Sequence, residues 1–260
     1  MHKILQDILK STKEEVEKRK NESVDDVITS FGGRISFKDR ILKPNKGDMG
    51  LIGEIKLASP VVGVLREKVD ALNRLLNYQN GGVDAISVIT EKNHFKGSLE
   101  LVSDIKKSIS NLPILQKDFI IDDFQIEESR LIGADALLLI ARIVDADELK
   151  RFVKLCKDAG IEPVVEIHTP DDLAKAVESG TEIIAVNARD LDTFTVDVNR
   201  ACQILKSIPE RFIKLGFSGI HSRAEVEKYK ESGANAVLVG TELMRASDIE
   251  KFIKELKNVS

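Results

Sequence analysis

Amphipathic stretches alternate with short apolar runs along most of this chain, and four of the junctions are written alike. Gly82-Val83-Asp84-Ala85-Ile86, Gly133-Ala134-Asp135-Ala136-Leu137, Gly180-Thr181-Glu182-Ile183-Ile184 and Gly233-Ala234-Asn235-Ala236-Val237 each end a helical pattern and pass straight into an apolar strand. The glycine stands where a helix C-cap needs a left-handed backbone. Neighbouring copies lie roughly 50 residues apart, about two helix–strand units of a repeating βα chain. Eight strands are expected: Leu51–Lys56, Val83–Thr90, Pro113–Lys117, Ala134–Ile140, Pro163–His168, Ile183–Asn187, Phe212–Phe217 and Ala236–Gly240. Helical periodicity falls at about 67–79, 98–109, 123–132, 146–159, 170–179, 198–207, 222–232 and 246–257. This pattern predicts an α/β fold, a (β/α)8 TIM barrel over residues 49–260. A doubly wound open sheet has fewer strands and a Gly-rich first turn. Residues 1–48 are expected as an N-terminal helical extension of the same single domain, with Ile4, Leu5, Ile8 and Leu9 as its apolar stripe. It either caps the barrel bottom or overhangs the mouth.

Composition narrows the class. Hydrophobic residues make up 42% and charged residues 32% with a net charge of -4, a soluble composition whose acidic balance argues against a nucleic-acid surface. No apolar run approaches the ~18 residues of a membrane span. The stretch Met1 to Leu9 lacks the features of a signal peptide. Cys156 and Cys202 lie in helical patterns and are expected as free thiols in a reducing cytosol, without metal-ligand spacing. The expectation is a cytoplasmic monomer that takes a small aromatic substrate and needs no metal, cofactor, nucleic acid or membrane.

A parallel barrel keeps its chemistry at the C-terminal ends of its strands. Side chains i and i+2 share a face, so Glu54 and Lys56 point the same way at the end of the first strand. Lys117 ends the third, Glu166 lies at the end of the fifth and Asn187 ends the sixth. Such groups would be desolvated unless paired or beside a solvent-filled pocket, and together they read as an acid–base site. His168 is expected to cap the helix start at Thr169-Pro170-Asp171-Asp172, and Arg189-Asp190 to form a loop-ordering pair. His94 and His221 carry no specific signal. Ser218-Gly219-Ile220 and Gly240-Thr241 follow the last two strands, where backbone N–H groups of this fold hold phosphate.

Taken together, these segments resemble indole-3-glycerol phosphate synthase. The matching pieces are Glu54-Ile55-Lys56 with Ala58-Ser59-Pro60, Ser87 to Glu91, Leu115 to Ile120, Val165 to His168, Val186 to Leu191, Ser218-Gly219-Ile220, and Leu238 to Thr241 with Leu243-Met244. The family closes a ring in a carboxyphenylamino-deoxyribulose phosphate, releasing carbon dioxide and water without metal or organic cofactor. The resemblance implies that Lys117 is the general acid of ring closure and that Glu166 moves the proton in the dehydration. Lys56 would lie against anionic groups, while Glu54 and Asn187 orient the lysines and substrate. Phe95, Phe119, Leu138 and Leu191 would wall the aromatic ring, and Ser218, Gly219, Gly240 and Thr241 would hold the phosphate.

The match breaks at four positions. Ser59-Pro60-Val61-Val62-Gly63 stands where the family has Ser-Pro-Ser, a small or basic residue and Gly. Leu57 replaces a position that is usually basic, and Phe217 replaces an active-site glutamate. All four changes are toward apolar, so Leu57, Val61, Val62 and Phe217 are expected to line a pocket altered toward a flat neutral ligand. One alternative is therefore an engineered barrel of Kemp eliminase type, with Glu166 or Glu54 as base and Phe217 stacking on the ring. Its variant is a retro-aldolase with a Schiff base on Lys56 or Lys117, and a third reading is a non-catalytic binder of aromatic ligands.

Overall fold

The computed structural model describes residues 3–21, 33–60, 63–65, 67–109, 111–190 and 192–259. Eight parallel strands close into a barrel: β1 (Gly50–Ile55), β4 (Ala85–Ile89), β5 (Ile114–Lys117), β6 (Ala136–Ile140), β7 (Glu162–Ile167), β8 (Ile183–Asn187), β9 (Ile213–Phe217) and β10 (Ala236–Val239). Closure pairs β1 with β10, with Leu51 opposite Val237 and Gly53 opposite Val239. After β1, β2 (Ala58–Ser59) and β3 (Gly63–Val64) form a small antiparallel hairpin that the apolar pattern does not announce. The barrel helices are α3 (Lys68–Asn73), α4 (Leu75–Gly81), α5 (Leu99–Ser108), α6 (Asp123–Leu131), α7 (Ala146–Asp158), α8 (Pro170–Ser179), α9 (Val198–Ser207), α10 (Arg223–Glu231) and α12 (Ile249–Lys257). The stretch expected as one helix at 67–79 is two, meeting at Arg74, and a short α11 (Thr241–Arg245) follows β10.

The repeated junctions explain how the barrel is shut at its base. Gly82, Gly133, Gly180 and Gly233 all take positive φ, between 84° and 97°. In three of the four junctions the polar residue two places later turns to a neighbouring strand. Asp84 accepts from the Leu51 amide at 2.9 Å, Asp135 from Ile114 at 2.8 Å and Asn235 from Lys214 at 2.8 Å. Each fills the first rung of a ladder whose own partner strand has not yet begun, so these three strand starts are not left with a dry, unbonded N–H. Lys257 and Lys106 neutralise Asp84 and Asp135 at 2.5 Å, all four side chains being buried.

Alternation divides the apolar side chains into two layers. Outward residues such as Leu51, Ile86, Leu137 and Val165 pack against the helices, and inward ones such as Ile52, Leu115, Val164 and Leu215 fill the barrel. The extension serves both ends of that inner layer. Helix α2 (Phe37–Leu42) inserts Phe37 and Ile41 at the base, tied by the Phe37 and Lys38 amides to Glu162 at 3.1 and 2.7 Å. Helix α1 (Lys3–Asn21) adds Leu5 and Ile8 to the same cluster from the mouth side. There Arg19 meets Glu128 at 2.7 Å and Lys20 meets Asp122 at 2.6 Å. Among the described residues no helix is long and apolar enough to cross a membrane.

Candidate active site

Glu54, near the end of β1, is the hub of the mouth. Its carboxylate receives Lys56 at 3.1 Å and Lys117, from the end of β5, at 3.2 Å. Burial pushes the Glu54 carboxyl up, but Lys117 and Lys56 outweigh burial and hold it at about 2. Burial likewise disfavours the Lys117 ammonium, yet Glu54 and Glu166 keep its pKa above the ordinary lysine value. Lys56 also donates to Thr241 Oγ1 at 3.1 Å, which joins the lysine pair to the turn after β10. Gly240 in that turn is required by the carboxylate itself: a Cβ there would lie 3.0 Å from Glu54 Cδ and collide with Oε1.

A second carboxylate faces this cluster. Glu166 at the end of β7 is buried, and its Oε1 accepts from Asn187 Nδ2 at 3.1 Å. Its Oε2 has no hydrogen-bond partner. Burial raises the Glu166 carboxyl above its ordinary value, and Lys117 and Asn187 offset only part of that. Asn187 Oδ1 is engaged on its other side by the Arg189 amide at 3.0 Å and by Ser218 Oγ at 2.8 Å. Behind them His168 does not cap α8; Thr169 does that with Asp172 in a capping box. The imidazole instead bridges Asn187 O at 3.0 Å and Asp190 Oδ2 at 2.8 Å. Asp190 is therefore the partner of His168 rather than of Arg189. Although burial would raise Asp190, the Thr193 and Asp192 amides and His168 hold it well below the usual carboxylate range. Arg189 is freed to line the cavity, a position that the sequence reading missed.

The cavity above these groups measures about 330 Å³. Glu54, Lys56, Lys117, Glu166 and Asn187 all line it, with Ser218, Gly219, Gly240 and Thr241 on one side. Phe95, Phe119 and Leu138 provide apolar wall, the two rings lying 6.4 Å apart at 37°. Phe95 is held from beneath: the buried Glu91 carboxylate accepts the amides of Asn93, His94 and Phe95 at 2.7–3.0 Å. Asp118, which sequence reasoning also passed over, lines the wall with its carboxyl pushed up by burial to about 6. His221 lies at the rim beside Glu242, 3.2 Å away.

Of the four apolar departures, the two that are described, Phe217 and Leu57, do not form the lining expected of them. Phe217 is fully buried in the barrel interior and off the cavity wall, with the Lys117 ammonium 5.4 Å from its ring centroid. The lysine covers the ring, so Phe217 is no platform for a ligand. Leu57 follows an inward Lys56, points outward and joins the layer between strands and helices. Val61 and Val62, like Leu191, lie outside the described residues. Among the described residues no group of three or more His, Cys, Asp or Glu is arranged to hold a metal ion.

A family model for indole-3-glycerol phosphate synthase matches residues 5–256. The indole-3-glycerol phosphate synthase of Caldanaerobacter subterraneus subsp. tengcongensis is 39% identical over 258 residues, covering 98% of this chain and 99% of that protein. Its counterpart from Campylobacter jejuni subsp. jejuni is 38% identical over 257 residues, 97% and 99% of the two chains. Among solved structures, a 3-hexulose-6-phosphate synthase superposes with a TM-score of 0.65 at 17% identity, over 82% of this chain and 100% of its own. A mutant tryptophan synthase α-subunit from Pyrococcus furiosus gives 0.64 at 19%, over the same shares. These two share the barrel and carry no argument about activity. The whole-length sequence matches do carry one, and the chain belongs to the indole-3-glycerol phosphate synthase family.

Proposed function

We propose that this protein converts a carboxyphenylamino-deoxyribulose phosphate into indole-3-glycerol phosphate. The observation that carries the reading is the pair of ammonium groups on Glu54, at 3.1 and 3.2 Å, across the cavity from a second carboxylate with an unpartnered oxygen. Ring closure forms a bond between the carboxyl-bearing aromatic carbon and the ketone carbon. Negative charge gathers on the ketone oxygen, and Lys117 donates to it there. Loss of carbon dioxide returns the bonding pair to the ring. Dehydration then expels the new hydroxyl as water, with a second proton from Lys117 recharged by solvent, while a neighbouring methylene gives up a proton. Glu166, kept basic by burial, takes that proton, and Asn187 steadies the carboxylate. Lys56 attracts the anionic groups, Phe95, Phe119 and Leu138 sandwich the ring, and the turns at Ser218-Gly219 and Gly240-Thr241 take the phosphate. Purified protein given the substrate should develop indole fluorescence, and Lys117→Met should abolish it. Folded protein with no turnover would remove the reading.

The redesigned-pocket alternatives draw no support. Proton abstraction from a benzisoxazole needs a stacking platform, and Phe217 lies under Lys117. Glu54, held at about 2 by two ammoniums, is a poor base. Lys117, held above its ordinary value, is a poor Schiff-base nucleophile.

A further inference from the structure

One packing device occurs twice at the mouth. In β1, a Cβ on Gly53 would lie 2.6 Å from Tyr78 Cδ2, so the glycine makes room for that ring. The Tyr78 hydroxyl then donates to the carbonyl of the next residue, Glu54, at 3.2 Å. In β9, Gly216 likewise lies under the ring of Tyr229, where a Cβ would collide with it. The Tyr229 hydroxyl reaches the carbonyl of the next residue, Phe217, at 3.2 Å and that of Ser218 at 2.9 Å. One tyrosine thus pins the strand end that carries Glu54, and the other pins the strand end that leads to Ser218.

We propose that Tyr229 is a positioning residue for Glu166, acting through Ser218 and Asn187; the proposal rests on the reading of Glu166 as the proton-transfer group. Ser218 has φ +70°, a left-handed backbone without being glycine, a conformation that L side chains adopt at a cost and that must be held from outside. Tyr229 is fully buried and holds it from outside. In that conformation Ser218 Oγ donates to Asn187 Oδ1 at 2.8 Å, beside the Arg189 amide at 3.0 Å. Both donors occupy the amide oxygen, so the NH2 end faces Glu166 at 3.1 Å. The Ser218 hydroxyl is therefore committed to Asn187, and the turn meets a phosphate with its backbone. The other charged or titratable groups acting on Glu166 are Lys117 of β5, Glu54 of β1 and His168, the residue just after its own strand.

Tyr229→Phe keeps the ring over Gly216 and removes only the hydroxyl. Two readouts test it: steady-state turnover of the deoxyribulose phosphate, and carbon-13 NMR titration of Glu166 in glutamate-labelled protein, its resonance assigned by its loss in Glu166→Gln. The expected result is a kcat lower by about 5- to 20-fold with KM within about twofold. The Glu166 midpoint should rise by about 0.5 pH unit or more, because the charged form loses its donor. Ser218→Ala should raise the midpoint alike, and adding Tyr229→Phe to it should change nothing further. Should Tyr229→Phe not fold, an unmoved midpoint in Ser218→Ala would by itself overturn the proposal, since Tyr229 acts on Glu166 only through that hydroxyl. An unmoved midpoint, a loss confined to KM, or effects that multiply independently would overturn the proposal. If the unmodified protein does not turn the substrate over, the functional reading falls, while the titration still decides the role of Tyr229.

Discussion

Glu54→Gln preserves the shape of the mouth and removes the charge that both lysines share. Its consequence can be worked from the shift of that carboxyl, from 4.5 to about 2. At about 1.4 kcal/mol per pH unit, the ionised carboxylate contributes about 3 kcal/mol to folding at neutral pH. A folded-state pKa below the unfolded one means that this stability is present above 4.5 and is lost as the pH falls toward 2. The glutamine variant should therefore unfold about 3 kcal/mol more easily at pH 7, as expected for breaking a buried ion pair from one side. By about pH 3 the gap should shrink to about 1 kcal/mol, because half or more of the linked stability is already gone. Urea titrations of both proteins at pH 7, 5, 4 and 3 measure it, with equal m-values as the sign that two-state unfolding holds. A gap that stays the same at every pH would refute the argument, since it would mean that packing, and not charge, makes Glu54 matter.

Other outcomes follow from the same geometry. Gly240→Ala forces the Glu54 carboxylate aside and should cost about 1–3 kcal/mol in thermal or chemical denaturation together with most of the turnover; full activity would show that the β10 turn yields freely. Because burial raises Glu166, the acid limb of the kcat profile should lie above the ordinary glutamate value of 4.5 and vanish in Glu166→Gln along with most of the rate. Glu91→Gln weakens the acceptor for three amides and should raise KM several-fold through Phe95 while leaving kcat nearly intact, measured by steady-state kinetics.

The strands were most legible where two independent signals agree, as they do before β4, β6, β8 and β10. Apolar alternation marks the run, and a left-handed glycine or a cap marks where its helix stops, as at Gly133 before β6. The same alternation identified Glu54, Lys56, Lys117, Glu166 and Asn187 as inward, and all five line one cavity. Alternation also implies that Leu57 points outward, a consequence the family comparison obscured. What alternation lacks is depth. Phe217 does face the interior, but the stagger of the barrel and the reach of Lys117 decide that it is covered. Nor does local pattern say which of two acceptors a side chain chooses, and so His168 was assigned to its own helix start instead of to Asp190, 22 positions away. The extension was readable as helical, but its division between mouth and base depends on Glu128, Asp122 and Glu162, residues remote in sequence.

The hydrogen bond from Lys56 to Thr241 joins positions 185 residues apart, and β1 has its final neighbour only in β10. During synthesis the first strand therefore leaves the ribosome long before its second edge has a partner. Glu54 and Lys56 must wait through seven further barrel strands for the turn that completes their surroundings. On the proposed function, catalytic competence is thus tied to the last stage of chain emergence: a nascent chain halted before β10 carries both lysines and both glutamates, yet lacks the turn that closes their cavity.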